Sequence, residues 1–451
     1  MVYSLPVLLY TLEAMNDNCK KIPAKGQKKK TTQPTVSAVL ADGTLVEALY
    51  RSDEKTLLCL SKDGVWGYKK SIFEAGIELV PYSPQNNLLK HEAVLLSSEP
   101  EDYESEEALV TLIQSFIHKY ADVSPLFEEI ASYYVLLSWV YDSFNELPYL
   151  RLRGGPGSGK TRFLLTVGSI CYKPMFASGA STVSPIFRML DSVRGTLVID
   201  EGDFRASDER AEIVKIFNNG NARGFPVLRS EVSPQGEYNP KAYSVFGPKI
   251  IATRRAFEDQ ALESRCITEE MGQKRLRADI PISLPAVYKE EALTLRNKLL
   301  AFRLKNFFRF TTAGTVIDRG IEPRVRQIFA PLLSIIKEDS AQQRLLDLAW
   351  RYHQELTTER GMDIEAQVLE VIRDLIEAED SRLSIREITS WFLDRYGDEY
   401  DRKVTPKWIG SVIRTRLHLR TQKSHGVFVI PIEERPKLKW LFEKYGITDE
   451  A

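Results

Sequence analysis

The chain is poor in the residues that staple small or secreted folds. Its 451 residues include 4 cysteines, Cys19, Cys59, Cys171 and Cys266, and 5 histidines. The cysteines are scattered and none is spaced C-x-x-C, and the histidines form no ligand spacing, so neither a disulfide framework nor a zinc site is expected. An excess of one charge is also missing. Lys and Arg number 61 against 62 Asp and Glu, a net charge of −1. That excludes a global polyelectrolyte pull toward nucleic acid and requires any basic surface to be local. Long hydrophobic runs are absent too. The most apolar interior stretch, IASYYVLLSWVY (130–141), is too short and too polar to span a bilayer. The apolar start MVYSLPVLLYTLEAM has no basic n-region and contains Glu13, unlike a signal peptide. A cytoplasmic protein without a membrane partner is expected, and no internal repeat is evident.

What is present is an ordinary globular composition, 43% hydrophobic and 27% charged, with length for about two to four domains. Residues 1–35, Lys-rich from 18 onward, read as a flexible N-terminus, a solvated tail or else a nucleic-acid contact. Residues 36–98 read as a small β module: TVSAVLA, TLVEALY, TLLCLS and VWGYKK alternate with DG turns. An acidic linker, EPEDYESEE, and a helical pair fill 99–146. Ser124 and Pro125 mark the second helix start as N-cap and N1. An α/β core is expected over 147–275, a helical region over 276–358, and a last domain with a C-terminal helix over 359–451.

The core carries the chemistry. Gly154-Gly155-Pro156-Gly157-Ser158-Gly159-Lys160-Thr161 fits G-x-x-x-x-G-K-T, between the β-like run YLRLR and the helical run beginning at Arg162. Glycines let backbone N–H groups turn inward around phosphates, and the helix N-terminus adds positive potential. Lys160 is expected on the β- and γ-phosphates of ATP, Thr161 on Mg²⁺. About forty residues on, the buried strand of GTLVIDEGDF ends in Asp200-Glu201. Asp200 is expected to orient Mg²⁺ and its waters, and Glu201 to polarise the attacking water. KIIAT is a further buried strand ending in Thr253, and Arg265 follows in ALESRCITEEM.

This order resembles the AAA+ ATPases: Walker A at Lys160 and Thr161, Walker B at Asp200 and Glu201, then sensor 1 and an arginine finger. The resemblance covers roughly 147–340. It implies a P-loop α/β core with a helical lid, Thr253 as sensor 1 and Arg265 as the finger. Thr253 stands where the family often has Asn. A local salt bridge to Glu263 or Glu269 is the alternative for Arg265, and Arg254 and Arg255 compete for electrostatic roles. A finger acts on a neighbour's γ-phosphate, so a ring of subunits, expected to be a hexamer, is implied. Arg324 and Arg326 lie in the first turn of a helix begun by Pro323, where cations oppose the helix dipole. A sensor 2 contact to nucleotide would explain them.

Between Walker B and sensor 1, GFPVLRSEV and PKAYSVF flank SPQGEYN, a hairpin signal. It resembles the pre-sensor-1 hairpin of minichromosome maintenance and superfamily III helicases and of mobile-element ATPases, which grips DNA. Those families often place Lys or Arg at the tip; here it is Ser233–Glu237, with Gln235 as the candidate DNA contact and Arg223, Arg229 and Lys241 lower down. The last domain reads helix, helix, helix, hairpin and looks like a winged helix–turn–helix. Thr405 and Pro406 start its third helix, with Trp408, Ile409, Val412, Ile413 and Leu417 inward. From Arg402 to Ile432 there is no acidic residue, while Arg402, Lys403, Lys407, Arg414, Arg416, Arg420 and Lys423 are basic. Lys407, Ser411, Arg414, Arg420 and Lys423 are the candidate DNA contacts. The expected function is an oligomeric DNA helicase or replication initiator of a phage or mobile element. The alternative is a nucleotide-dependent regulatory or defence switch ATPase in which the winged helix is a packing or regulatory DNA-binding module.

Overall fold

The structure, a computed structural model, describes residues 31–51, 55–202, 208–232, 238–310, 317–361, 364–378, 383–397, 400 and 404–447. The chain divides into two compact units, the second formed mainly by residues 346–451.

At the centre of the first unit is a five-stranded sheet in the order Cys266–Glu270, Tyr149–Arg153, Lys249–Thr253, Leu197–Asp200, Met175–Ser178. Every neighbouring pair is parallel. Parallel strands covered on both faces read as apolar runs, and all five residues of Lys249–Thr253 are buried. The sequence's fourth strand is therefore inserted between the first and third. That insertion brings the chain after Tyr149–Arg153, after Leu197–Asp200 and after Lys249–Thr253 to one carboxyl edge, where open α/β sheets bind ligands. Helix Lys160–Ile170 follows the first strand. Helix Val183–Val193 buries Val183, Ile186, Phe187, Leu190 and Val193, the i, i+3, i+4 spacing of a single face.

Ser105 and Ser124 cap the helices Glu106–Tyr120 and Pro125–Trp139, accepting from Ala108 and Phe127 N–H. The β module is a four-stranded antiparallel sheet of Ser37–Val39, Leu45–Arg51, Lys55–Lys62 and Val65–Lys69. A second, three-stranded sheet includes Thr31–Thr35, which pairs in parallel with Ile77–Pro81. Thr31–Thr35 was expected within the flexible N-terminus; its β-branched residues instead add an edge strand that tolerates Pro34. Residues 1–30 lie outside the described residues.

The acidic stretch expected to be a linker is a strap on helix Val287–Asn306. Asn297 Oδ1 accepts from Ser98 N–H (3.0 Å), and its amide donates to Glu101 (2.7 Å). Lys305 pairs with Asp102 (2.9 Å) and Arg309 with Glu106 (2.8 Å). Below it, Glu47 of the β module is wholly buried and accepts from Tyr172 Oη (2.8 Å), Lys173 Nζ (2.8 Å) and Arg303 Nε (2.7 Å). Arg303 also clasps Asp142 through both Nη atoms (2.9 and 2.7 Å).

The second unit packs helices Ile364–Glu377, Ile385–Tyr396, Pro406–Ser411 and Arg435–Tyr445 against a small sheet of Leu383–Ser384, Val427–Ile430 and Gln422–Ser424. Val368, Ile372, Ile388, Phe392, Ile409 and Ile413 form its core. Thr405 caps the third helix and Pro406 opens it. That helix does not continue in α form: Val412–Arg416 is a π turn, with Leu417 N–H donating to Val412 O (3.1 Å).

Candidate functional site

The loop Gly154–Thr161 joins strand Tyr149–Arg153 to helix Lys160–Ile170 at the carboxyl edge. Gly154 N–H donates to Thr253 O (3.2 Å), which ties the loop to the neighbouring strand end. A Cβ at Gly154 would lie 2.6 Å from Met271 O, so only glycine fits. Gly159, with φ +94°, turns the chain into the helix as its N-cap and offers no side-chain cap. The first-turn N–H groups therefore lack a side-chain acceptor, which suits an anion. Lys160 Nζ folds back into the loop, donating to Gly154 O (2.7 Å), Gly155 O (2.7 Å) and Ser158 Oγ (3.3 Å).

Thr161 and Asp200, 39 residues apart in sequence, meet: Thr161 Oγ1 donates to Asp200 Oδ2 (2.6 Å). Asp200 Oδ1 accepts from Glu201 N–H (2.8 Å). Glu201 has φ +54°, a left-handed turn uncommon outside glycine. A Cβ at Gly179 would lie 2.7 Å from Glu201 O, so a glycine opposite makes room for that turn. The Glu201 carboxylate is exposed and accepts from Arg254 Nη2 (3.3 Å). Thr253 is buried, and its Oγ1 has no partner among the described residues. A buried hydroxyl without a partner costs about 1–3 kcal/mol, so this one suits a ligand or water. Lys160, Thr161, Asp200, Glu201 and Thr253 thus gather at one edge of the sheet. The donor set fits a nucleotide triphosphate with Mg²⁺: inward amides and an ammonium for phosphate, a hydroxyl beside a carboxylate for the cation. Arg162 lies on the same helix, with Nη2 donating to Ile282 O (2.8 Å). Sequence reasoning missed Gly179 and Met271, and named Arg254 without its partner Glu201, because these contacts come from separate strand ends.

Arg265 is elsewhere. Its carbonyl accepts from Tyr149 N–H (2.9 Å), at the amino end of the strand whose carboxyl end leads into the loop. Five residues at about 3.3 Å each separate the two edges by roughly 16 Å. The guanidinium donates from Nε to Asn221 Oδ1 (2.8 Å) and from Nη1 to Ala261 O. Glu263 is engaged by Arg151 and Arg153, and Glu269 by Ser124, so neither takes Arg265. Burial lowers the Arg265 pKa, and the nearby charge of Arg324 lowers it further. Arg324 Nη1 donates to Gln327 (3.1 Å). Arg326 Nε is buried without a partner among the described residues.

Strands Val227–Val232 and Tyr238–Tyr243 form an antiparallel ladder before Lys249–Thr253. The tip, including Gln235, lies outside the described residues. Arg229 pairs with Glu212 (2.9 Å), and Arg223 donates to Phe144 O (2.9 Å) and Asp142 O (2.6 Å). In the second unit Lys407, Arg414, Arg420 and Lys423 are exposed and Ser411 is half-buried. Arg414 donates to Thr421 Oγ1 (3.4 Å), and Arg416 is held by Glu365 (3.2 Å).

No family model matches the chain, and no curated protein matches it. Among solved structures it is similar to the NrS-1 C-terminal region (TM-score 0.35, 11% identity, 85% of this chain and 96% of that one). It is also similar to the SCCmec type IV Cch active helicase (TM-score 0.39, 11% identity, 95% and 83%) and to the JCV helicase (TM-score 0.24, 12% identity, 57% and 63%). At these scores the likeness decides nothing about this chain's activity. No helix among the described residues is long and apolar enough to cross a membrane.

Proposed function

We propose that the chain is an ATPase of the AAA+ kind that works on DNA as an oligomeric ring, a helicase or replication initiator of a phage or mobile element. The observation that carries this reading is the meeting of Thr161, Asp200 and the orphan Thr253 hydroxyl around the Gly154–Thr161 loop, with Arg265 on the far edge of the same sheet.

The loop amides and Lys160 would hold the phosphates, and Thr161 and Asp200 would hold Mg²⁺, which supplies charge neutralisation at the β- and γ-phosphates when bound. Glu201, released from Arg254, would accept a hydrogen bond from a water and take its proton as the water oxygen bonds the γ-phosphorus. The bond to the ADP oxygen breaks, and Thr253 holds the water in line. Because Arg265 is roughly 16 Å from its own loop, it can complete a site only on a neighbouring subunit, as an arginine finger does. Arg324, whose charge acts on Arg265, would serve the same shared site. The second unit, read as a winged helix, would bring Lys407, Arg414, Arg420 and Lys423 to the DNA backbone. Glu201→Gln tests the reading: ATP binding should persist while hydrolysis stops. Hydrolysis at the wild-type rate would refute it.

A further inference from the structure

The second unit's own hairpin, Gln422–Ser424 with Val427–Ile430, is the wing of the winged-helix reading. Two residues turn it, His425 at φ +48° and Gly426 at φ +84°. Positive φ at both central positions gives the tight turn whose twist matches its strands, and a turn of that length fixes the register. Lys423 therefore stands directly opposite Phe428, and Gln422 opposite Val429. Side chains directly opposite share one face of the ribbon, about 5 Å apart. Further along, Ile430 pairs with Leu383, and both belong to the core. Phe428 lies two residues earlier on that same face, past the edge of the core. It is 52% exposed, whereas Val429 and Ile430 are buried.

A single exposed aromatic is ordinary; the surroundings of this one are not. Lys423 is exposed and forms no ion pair among the described residues. The Arg420 side chain is 89% exposed, with Nε 3.9 Å from Glu434. Both cations lie in the stretch 402–432, which carries seven basic residues and no acidic one. That field favours a polyanion over an apolar protein surface. Within a duplex the bases cover one another's faces, so a side-chain ring meets a base face where the base is unpaired. An aromatic ring beside free cations is the combination that binds single strands: the ring stacks on a base and the cations follow the phosphates.

We propose that Phe428 is a base-stacking residue: the wing takes an unpaired base of single-stranded DNA on its ring while Lys423 holds a neighbouring phosphate. The inference rests on the DNA reading above and narrows the wing's ligand from duplex backbone to single strand. The test compares the full chain as wild type, Phe428→Ala, Phe428→Leu, Phe428→Trp and Lys423→Ala, with thermal melting as the check on folding. Affinities for a fluorescent single strand and for a blunt duplex are read by anisotropy over a salt series, and assembly size by sedimentation. Phe428→Ala should weaken single-strand binding roughly tenfold, with duplex affinity and salt slope unchanged. Phe428→Leu, apolar but not aromatic, should lose as much, and Phe428→Trp should keep wild-type affinity. Lys423→Ala should instead weaken both DNAs and lower the salt slope by about one ion contact. If Phe428→Ala does not fold, the contrast between the Leu and Trp variants carries the test with the same outcomes. Unchanged single-strand affinity, or an equal loss on duplex, overturns this inference alone. So does a change in assembly size with DNA affinity intact, which would make Phe428 a contact between subunits. A wild type that binds neither DNA overturns the DNA reading, and this inference with it.

Discussion

Glu47 stands at the junction of the β module, the core sheet's flank and helix Val287–Asn306, and its removal should be felt across the first unit. Glu47→Ala strips a wholly buried carboxylate from Tyr172, Lys173 and Arg303. Arg303 keeps Asp142 as a counter-charge, whereas Lys173 keeps, among the described residues, the carbonyl of Val36 (2.8 Å) and the face of the Tyr172 ring but no counter-charge within salt-bridge distance. Breaking a buried pair by removing one partner costs about 3–5 kcal/mol, and the surviving Asp142 contact places the expected loss near the lower figure. Burial pushes the Lys173 ammonium down to about 8 even with Glu47 beside it, from 10.5. A lysine with a depressed folded pKa costs its full penalty below that pKa, and the penalty fades as pH rises toward the unfolded value. Without Glu47 the Lys173 pKa falls further. The deficit of the variant is therefore largest on the acidic side and narrows by about 1.4 kcal/mol per pH unit as pH rises toward 8. Urea unfolding followed by Trp fluorescence is a suitable assay, because Trp139 lies edge-on to Tyr172 at 5.2 Å and reports on the cluster. A loss below about 1 kcal/mol at neutral pH, typical of an exposed pair, would refute the reasoning, as would a deficit that widens with pH.

Three further results are expected. Arg265→Ala should lose hydrolysis with its nucleotide affinity intact, and mixing it with Lys160→Ala, itself inactive, should restore turnover through shared sites; absence of restoration at any ratio would count against a finger supplied by the neighbour. Gly154→Ala should lose ATP binding, because its methyl group would sit 2.6 Å from Met271 O, and an unchanged dissociation constant would contradict the tight loop. Arg414→Ala with Lys423→Ala should weaken DNA binding and flatten its salt dependence by about two ion contacts. Unchanged affinity and slope would remove the DNA role of the second unit.

The candidate site was legible where its residues are contiguous. Gly154–Thr161, Thr196–Glu201 and Lys249–Thr253 each announce themselves within a few residues, as a glycine turn or as a buried strand with a polar end. Their spatial order was not legible, because parallel strands joined by helices can be inserted in several places, and only the fold shows Lys249–Thr253 between the other two. Contacts across large sequence distances were hidden for the same reason: Glu47 and Arg303 are 256 residues apart. The acidic stretch after Glu99 read as a linker since charge runs are usually solvated, yet Asn297, Lys305 and Arg309 give it partners. Val412–Arg416 has helical periodicity, and nothing in that periodicity distinguishes an α turn from the π turn that forms. The left-handed turn at Glu201 was equally silent, since its enabling glycine, Gly179, follows another strand.

The central claim is that this site hydrolyses ATP in an assembly that responds to DNA. ATP turnover by the purified chain, with and without single-stranded and duplex DNA over a range of protein concentrations, tests it most directly. The account predicts turnover that rises steeply with protein concentration and is stimulated by DNA. A rate per subunit that is independent of concentration and indifferent to DNA would contradict it.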